Sequence, residues 1–198
     1  MKPVSSLRGS MVPLDRADVD TDQIMPKQFL CRIERTGYGE FVFDSWRQEA
    51  NFVLNDPRYA AATILVAGRN FGSGSSREHA AWGLQQYGFS CIVAPSFGDI
   101  FRNNCTNIGL LTAVASTETV TALLELTVAD PGAEIEINLE QQRLAASGVS
   151  AAFTIDPTHR SQLLSGVDPI AAGLAQALAI EHYETERDVW LPHTTGGG

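Results

Sequence analysis

Thr63-Ile64-Leu65-Val66-Ala67, Asn70-Phe71-Gly72-Ser73-Gly74-Ser75-Ser76-Arg77-Glu78-His79-Ala80, Ala81-Trp82-Gly83-Leu84-Gln85-Gln86-Tyr87 and Cys91-Ile92-Val93-Ala94 follow one another in this chain. The short apolar runs at 63–67 and 91–94, bounded by turn residues, read as strands. Apolar residues at 80, 81, 84 and 87 keep a near-helical period, which predicts a helix over 77–88. Strand, helix and strand make a βαβ unit, so the two strands pair in parallel through a right-handed crossover. The fold class is therefore α/β with a partly parallel sheet.

Outward from this unit, residues 10–14 open a strand and Asp18-Val19-Asp20-Thr21-Asp22 forms an acidic turn. Residues 23–50 read as irregular with short helical pieces, and Asn55-Asp56-Pro57 marks a turn. A helix is predicted over 97–107, a strand over 110–114 and a helix over 119–126. Alternation at 134–139, with further segments at 143–145 and 151–155, predicts a C-terminal strand meander. Asp156-Pro157 starts a helix with Asp at the cap and Pro in the first position. A longer helix is expected over 169–186. Residues 1–190 read as a single domain and 191–198 as a disordered tail.

The 198 residues are 44% hydrophobic and 19% charged, with a net charge of −9. That balance suits a soluble globular domain and argues against nucleic acid or an anionic membrane as partner. No apolar run approaches the length of a membrane span, and no secretory h-region opens the chain. Cys31, Cys91 and Cys105 are widely spaced, with no Cys-x-x-Cys pair, and the four histidines are scattered. No metal site is expected on this chain, and its thiols are expected reduced, in the cytoplasm.

The glycine- and serine-rich stretch at 70–80 lies where a strand hands over to a helix, a place that collects unpaired N–H groups and suits an anion. Arg77 adds a planar fork that grips a carboxylate through two hydrogen bonds. A purely structural reading also holds: Ser75 with Glu78 spells a capping box, and the glycines allow a tight turn. Three familiar motifs fail. A dinucleotide loop needs glycine where Arg77 stands, a P-loop needs Gly-Lys-Ser/Thr, and a hydrolase elbow needs a glycine where Glu78 stands.

Several blocks in order carry a resemblance. Gly74-Ser75-Ser76-Arg77-Glu78-His79-Ala80 resembles the motif of the swivelling β/β/α domain of the aconitase superfamily. Val19-Asp20-Thr21-Asp22-Gln23-Ile24-Met25-Pro26-Lys27-Gln28-Phe29-Leu30 resembles the opening of one branch, the small subunits of 3-isopropylmalate dehydratase (isopropylmalate isomerase). Ala94 to Asn104, Gly37-Tyr38-Gly39, Phe43 to Arg47 and Asn51 to Asn55 are similar to the same branch. The resemblance spans about residues 11–155.

It implies a hydro-lyase of leucine biosynthesis that interconverts 2- and 3-isopropylmalate through isopropylmaleate. It implies a large-subunit partner whose cysteines carry a [4Fe-4S] cluster, while this chain binds no cofactor itself. Related activities, homoaconitase or methylmaleate hydratase, and a non-catalytic module of the same fold are the alternatives. By resemblance Ser75 is the base, acting through an oxyanion that helix-start N–H groups and Arg77 steady. Arg77 also holds a substrate carboxylate of the dicarboxylate substrate. Ser76 donates to a carboxylate or caps the helix. Thr21 and Asp22 form an active-site turn in which Asp22 orients donors, or an Asx-turn that only shapes the loop. Phe29, Leu30 and Ile33 are the apolar candidates for the isopropyl group, with Leu30 nearest, and Arg32 and Arg35 are expected to point to solvent or to the partner. His79 is expected to be a buried, hydrogen-bonded structural histidine, and the cysteines to be packing residues. Arg102, Asn103 and Asn104 are expected either at the subunit interface or capping a helix.

Overall fold

Strand β1 (Ser6–Leu14) is the seam of the molecule. Its C-terminal half pairs in parallel with β2 (Ile64–Ala67), Met11 opposite Ile64 and Leu14 opposite Ala67. Its N-terminal half pairs antiparallel with β5 (Glu134–Asn138), Ser6 opposite Asn138. In this computed structural model, which describes residues 2–31, 34–74, 76–167, 173–174, 176–188 and 190, the seven strands run in the order β4-β3-β2-β1-β5-β6-β7. Strands β2, β3 (Cys91–Ala94) and β4 (Leu111–Val114) continue the parallel half. Strands β6 (Arg143–Ala146) and β7 (Val149–Ala152) continue the antiparallel half.

All four residues of β2 and of β3 are buried, as expected for parallel strands covered on both faces. Successive side chains alternate between two cores. Leu65, Ala67, Ile92 and Ala94 join one core with Leu84 and Phe101, from helices α3 (His79–Tyr87) and α4 (Asp99–Ile108). Ile64, Val66, Cys91 and Val93 join the other. There they meet Val120 and Leu123 of α5 (Thr117–Ala129) and Leu163 of α6 (Pro157–Ser165). The antiparallel half shows the alternation read from its sequence: Ile135 and Ile137 are buried while Glu134 and Glu136 are exposed.

The βαβ unit and the starts of most elements stand where the sequence places them. Asp156 caps α6, accepting from the N–H groups of Thr158 at 2.8 Å and His159 at 3.2 Å, with Pro157 first in the helix. Two differences have physical causes. Helix α5 runs to Ala129, past the expected 126, because Thr127 is fully buried against the sheet core and its hydroxyl donates to the Leu123 carbonyl. The third meander strand ends at Ala152 instead of 155. Thr154 leaves it to exchange two backbone hydrogen bonds with Val114 at the opposite sheet edge, which curls the sheet back on itself.

Residues 23–50 form short helical pieces, as read: α2 (Asp44–Arg47) and 3-10 turns at Lys27–Phe29 and Gly39–Phe41. The acidic turn is itself helical, forming α1 (Thr21–Ile24). Contacts divide the chain into Met1–Gly166 and Val167–Gly198. The second unit contains helix α7 (Ala177–Glu186), with an ion pair between His182 and Glu186 at 3.5 Å. The helix expected over 169–186 therefore meets α7 in its second half, and 169–172 and 175 lie outside the described residues, as does the tail 191–198. No helix among the described residues is long and apolar enough to cross a membrane.

Candidate active site

The carboxyl ends of β1, β2 and β3 each run into a loop, and backbone hydrogen bonds lace the three loops together. Gly72 N–H donates to the Val19 carbonyl at 2.7 Å, and Thr21 N–H donates to the Ser73 carbonyl at 2.9 Å. On the other side Phe71 N–H donates to Ser96 O at 3.0 Å, and Gly98 N–H donates to Phe71 O at 2.9 Å. Asn70 donates from its side chain to Asp18 at 2.9 Å, and Arg69 pairs with Asp18 at 3.1 Å. Open α/β sheets place their ligands beyond the carboxyl ends of parallel strands, and this laced rim occupies that position.

Two glycines are required here by contact. Gly72 has a φ of +73°, and a Cβ there would come within 2.2 Å of the Phe101 ring. A Cβ on Gly98 would lie 2.5 Å from the Gly72 carbonyl oxygen. Helix α4 thus presses directly beneath the loop.

Asp20 caps α1 through a capping box. Gln23 N–H donates to its carboxylate at 2.7 Å, and its own N–H donates to Gln23 Oε1 at 2.9 Å. Thr21 is then buried, while Asp22 projects from the first turn with its side chain 53% exposed. Asp22 meets Arg77, whose Nη1 donates to Asp22 Oδ1. Two residues singled out separately from the sequence are therefore brought together. The Arg77 side chain is 33% exposed. The remaining N–H groups of its fork are the donors with which such a side chain grips a second carboxylate.

The helix start differs from expectation. Helix α3 begins at His79, its cap position is Glu78, and no side chain among the described residues caps it. A cap at position 75 would start the helix at residue 76, three residues before the observed start. The positive end of the α3 dipole also lies beyond the loop, and such an effect fades within one turn. Ser75 itself lies outside the described residues, as do Arg32 and Ile33. Ser76 is exposed, and its carbonyl accepts from Asn104 Nδ2 at 3.3 Å.

Phe29 stacks on Phe41 with ring centroids 4.1 Å apart, and Leu30 is half-buried beside it. Arg35 is exposed and lies over the Trp82 ring at 5.6 Å. His79 is half-buried, its ring 4.9 Å from that of Trp82 and 5.3 Å from that of Tyr38. Among the described residues its Nδ1 is buried without a hydrogen-bond partner, and its ring packs against those of Trp82 and Tyr38. Burial lowers the pKa of His79, helped by Arg77 and opposed by Glu78.

Of the residues the sequence left undecided, Asn103 bonds His159 of α6 at 3.3 Å and Arg102 pairs with Asp99 at 3.1 Å. Asn104 is the functional candidate that sequence reasoning did not assign. The available signal was its place on the core-facing stripe of α4 with Phe101 and Cys105, where a polar side chain needs a partner. Cys91 and Cys105 are fully buried, one in each core, and burial pushes both thiols well up. Cys31 is exposed. Among the described residues, no group of three or more His, Cys, Asp or Glu is placed to hold a metal ion. A cavity of about 600 Å³ between Thr36, Gly39, Arg47 and Tyr87 includes none of the candidate site residues.

A family model described as the aconitase C-terminal domain matches residues 1–118, and one described as LeuD_N matches 121–157. The 3-isopropylmalate dehydratase small subunit of Rubrobacter xylanophilus is 47% identical over 97% of this chain and 98% of its own length. The protein of the same description from Streptomyces coelicolor is 46% identical over 98% of both chains. Among solved structures, the 3-isopropylmalate dehydratase (leuD) of Methanocaldococcus jannaschii aligns with a TM-score of 0.66 at 23% identity. That alignment covers 89% of this chain and 98% of the archaeal one.

Proposed function

From the premise that this chain belongs to the aconitase C-terminal domain family, in the branch of 3-isopropylmalate dehydratase small subunits, we propose that it is the small subunit of a heteromeric hydro-lyase. The complex interconverts 2-isopropylmalate and 3-isopropylmalate through isopropylmaleate, in the cytoplasm, as a step of leucine synthesis. The observation that carries this reading is the near-full-length likeness to small subunits. The Asp22–Arg77 pair supplies a matching chemistry, a carboxylate-gripping cation at the carboxyl ends of the strands.

On this reading Arg77 holds one substrate carboxylate, and Asp22 fixes the plane of its guanidinium. Ser76, which is exposed, donates to a carboxylate, whereas Thr21, buried beneath the turn, shapes it and does not reach the substrate. Ser75, as an oxyanion, removes the proton alpha to a carboxylate while hydroxide leaves the neighbouring carbon, giving isopropylmaleate; water then adds back with the opposite orientation. Abstraction by a positioned base of this kind contributes about 10²–10⁴-fold. The cysteines of this chain do not suit a cluster, two being buried as thiols and the third remote in sequence. The [4Fe-4S] cluster that acts as Lewis acid belongs, on this reading, to the large subunit.

The test is reconstitution. The purified chain alone is expected to be colourless and inactive, and to give isopropylmalate turnover when mixed without oxygen with a cluster-loaded large subunit. Turnover by the pure chain would overturn this division of labour. A preference of the complex for a tricarboxylate would favour a homoaconitase-like role.

Specificity is assigned to Phe29 and Leu30. The ring of Phe29 is stacked on Phe41, and the half-buried Leu30 is taken as the apolar contact nearest the isopropyl group. An apolar contact of this size is worth about 1–3 kcal/mol of discrimination. Leu30→Ala is therefore expected to lower the preference for isopropylmalate over a methyl-bearing analogue by roughly 10-fold. Equal kcat/KM ratios in wild type and variant would remove Leu30 from the specificity pocket.

A further inference from the structure

We infer that Asn104 of α4 is a positioning residue that sets the direction of the Ser76-Arg77 segment of the loop. The inference rests on the proposed catalytic role of that loop. Three contacts along one helix carry it. At its start, Gly98 N–H donates to Phe71 O, and Gly98 approaches Gly72 closely enough to exclude a side chain. One turn on, the Phe101 ring lies against Gly72. Asn104, 8% exposed, then donates from Nδ2 to the carbonyl of Ser76 at 3.3 Å. Helix α4 therefore holds the loop at residues 71–72, ahead of Ser75, and at residue 76, behind it.

The second anchor has a different character from the first. Gly72 is held by backbone bonds and by packing against Phe101, contacts that many apolar side chains supply. Ser76 O is held by the side-chain amide of Asn104, which is itself buried on α4, where leaving a polar group unpaired is costly. The peptide group of Ser76 links it directly to Arg77, so rotating that carbonyl re-aims the guanidinium that meets Asp22. A displacement of about 1 Å at a reacting group costs on the order of 100-fold in rate.

The experiment compares Asn104→Asp, Asn104→Gln and Asn107→Ala in the reconstituted complex. Asp keeps the shape of Asn and loses the donor, whereas Gln keeps an amide donor. Asn107, one turn further along α4, accepts from Gln162 at 3.3 Å and serves as a control for loss of one structural hydrogen bond. Asn104→Asp is expected to lower kcat at least 10-fold with KM changed less than 3-fold. Asn104→Gln is expected to recover part of that loss, and Asn107→Ala to keep wild-type kcat. In the isolated chain, amide hydrogen exchange across residues 72–78 is expected to rise at least 10-fold in Asn104→Asp and to stay unchanged in β4. Wild-type kcat in Asn104→Asp, or an equal loss in Asn107→Ala, overturns the assignment, as does unchanged exchange in the loop. A wild-type complex without isopropylmalate turnover, while the exchange result holds, would instead count against the proposed substrate.

Discussion

Ser75→Ala is expected to reduce kcat of the reconstituted enzyme by about 10³-fold, within the 10²–10⁴ range of a positioned acid–base group. KM should change little, because the base acts in the transition state whereas Arg77 holds the ground state. The competing role for this serine was a helix cap, whose loss costs about 1 kcal/mol. The structure gives the cap position of α3 to Glu78 and begins that helix at His79. The thermal midpoint of Ser75→Ala should therefore match wild type. Steady-state kinetics beside a melting curve test both statements. Near-normal turnover would remove Ser75 as base, and a lowered midpoint with retained activity would return it to a structural role.

Arg77→Lys should show a different signature. Lysine keeps the charge and loses the planar fork, so it cannot serve Asp22 and a substrate carboxylate together. A hydrogen bond to a charged group contributes about 1.5–3 kcal/mol, which corresponds to a loss of roughly 10–100-fold in kcat/KM. The loss should be shared between KM and kcat, because the guanidinium grips the carboxylate before and during proton removal. Asp22→Asn keeps a hydrogen-bond acceptor for Arg77 and removes the ion pair, so its loss should be smaller than that of Arg77→Lys. If Arg77→Lys changes kcat alone, Arg77 does not bind the ground-state carboxylate. If Asp22→Asn is the more damaging of the two, Asp22 does more than orient its partner.

How much of this was legible beforehand varies by residue. Asp22 and Arg77 were each singled out by their motifs, but their pairing was not, since 55 positions separate them. Asn104 stood undecided because its donor points at a carbonyl 28 positions away. The misplaced helix start arose from local spelling: Ser75 with Glu78 has the form of a capping box, and the box that forms joins Asp20 to Gln23.

The sequence by itself determined the local elements, because hydrophobic period and cap chemistry act over a few residues. The buried runs of β2 and β3, the alternation at 134–138 and the Asp156-Pro157 start all follow from neighbours in the chain. Tertiary structure decided what those elements meet. Nothing local makes β1 the seam between parallel and antiparallel halves, or sends Thr154 to pair with Val114. Those choices follow from covering both faces of one sheet with α3 and α4 on one side and α5 and α6 on the other. Burial drives that packing without direction or memory of chain order. It brings the loops after β1, β2 and β3 to a single rim, where backbone groups must find partners across long sequence distances.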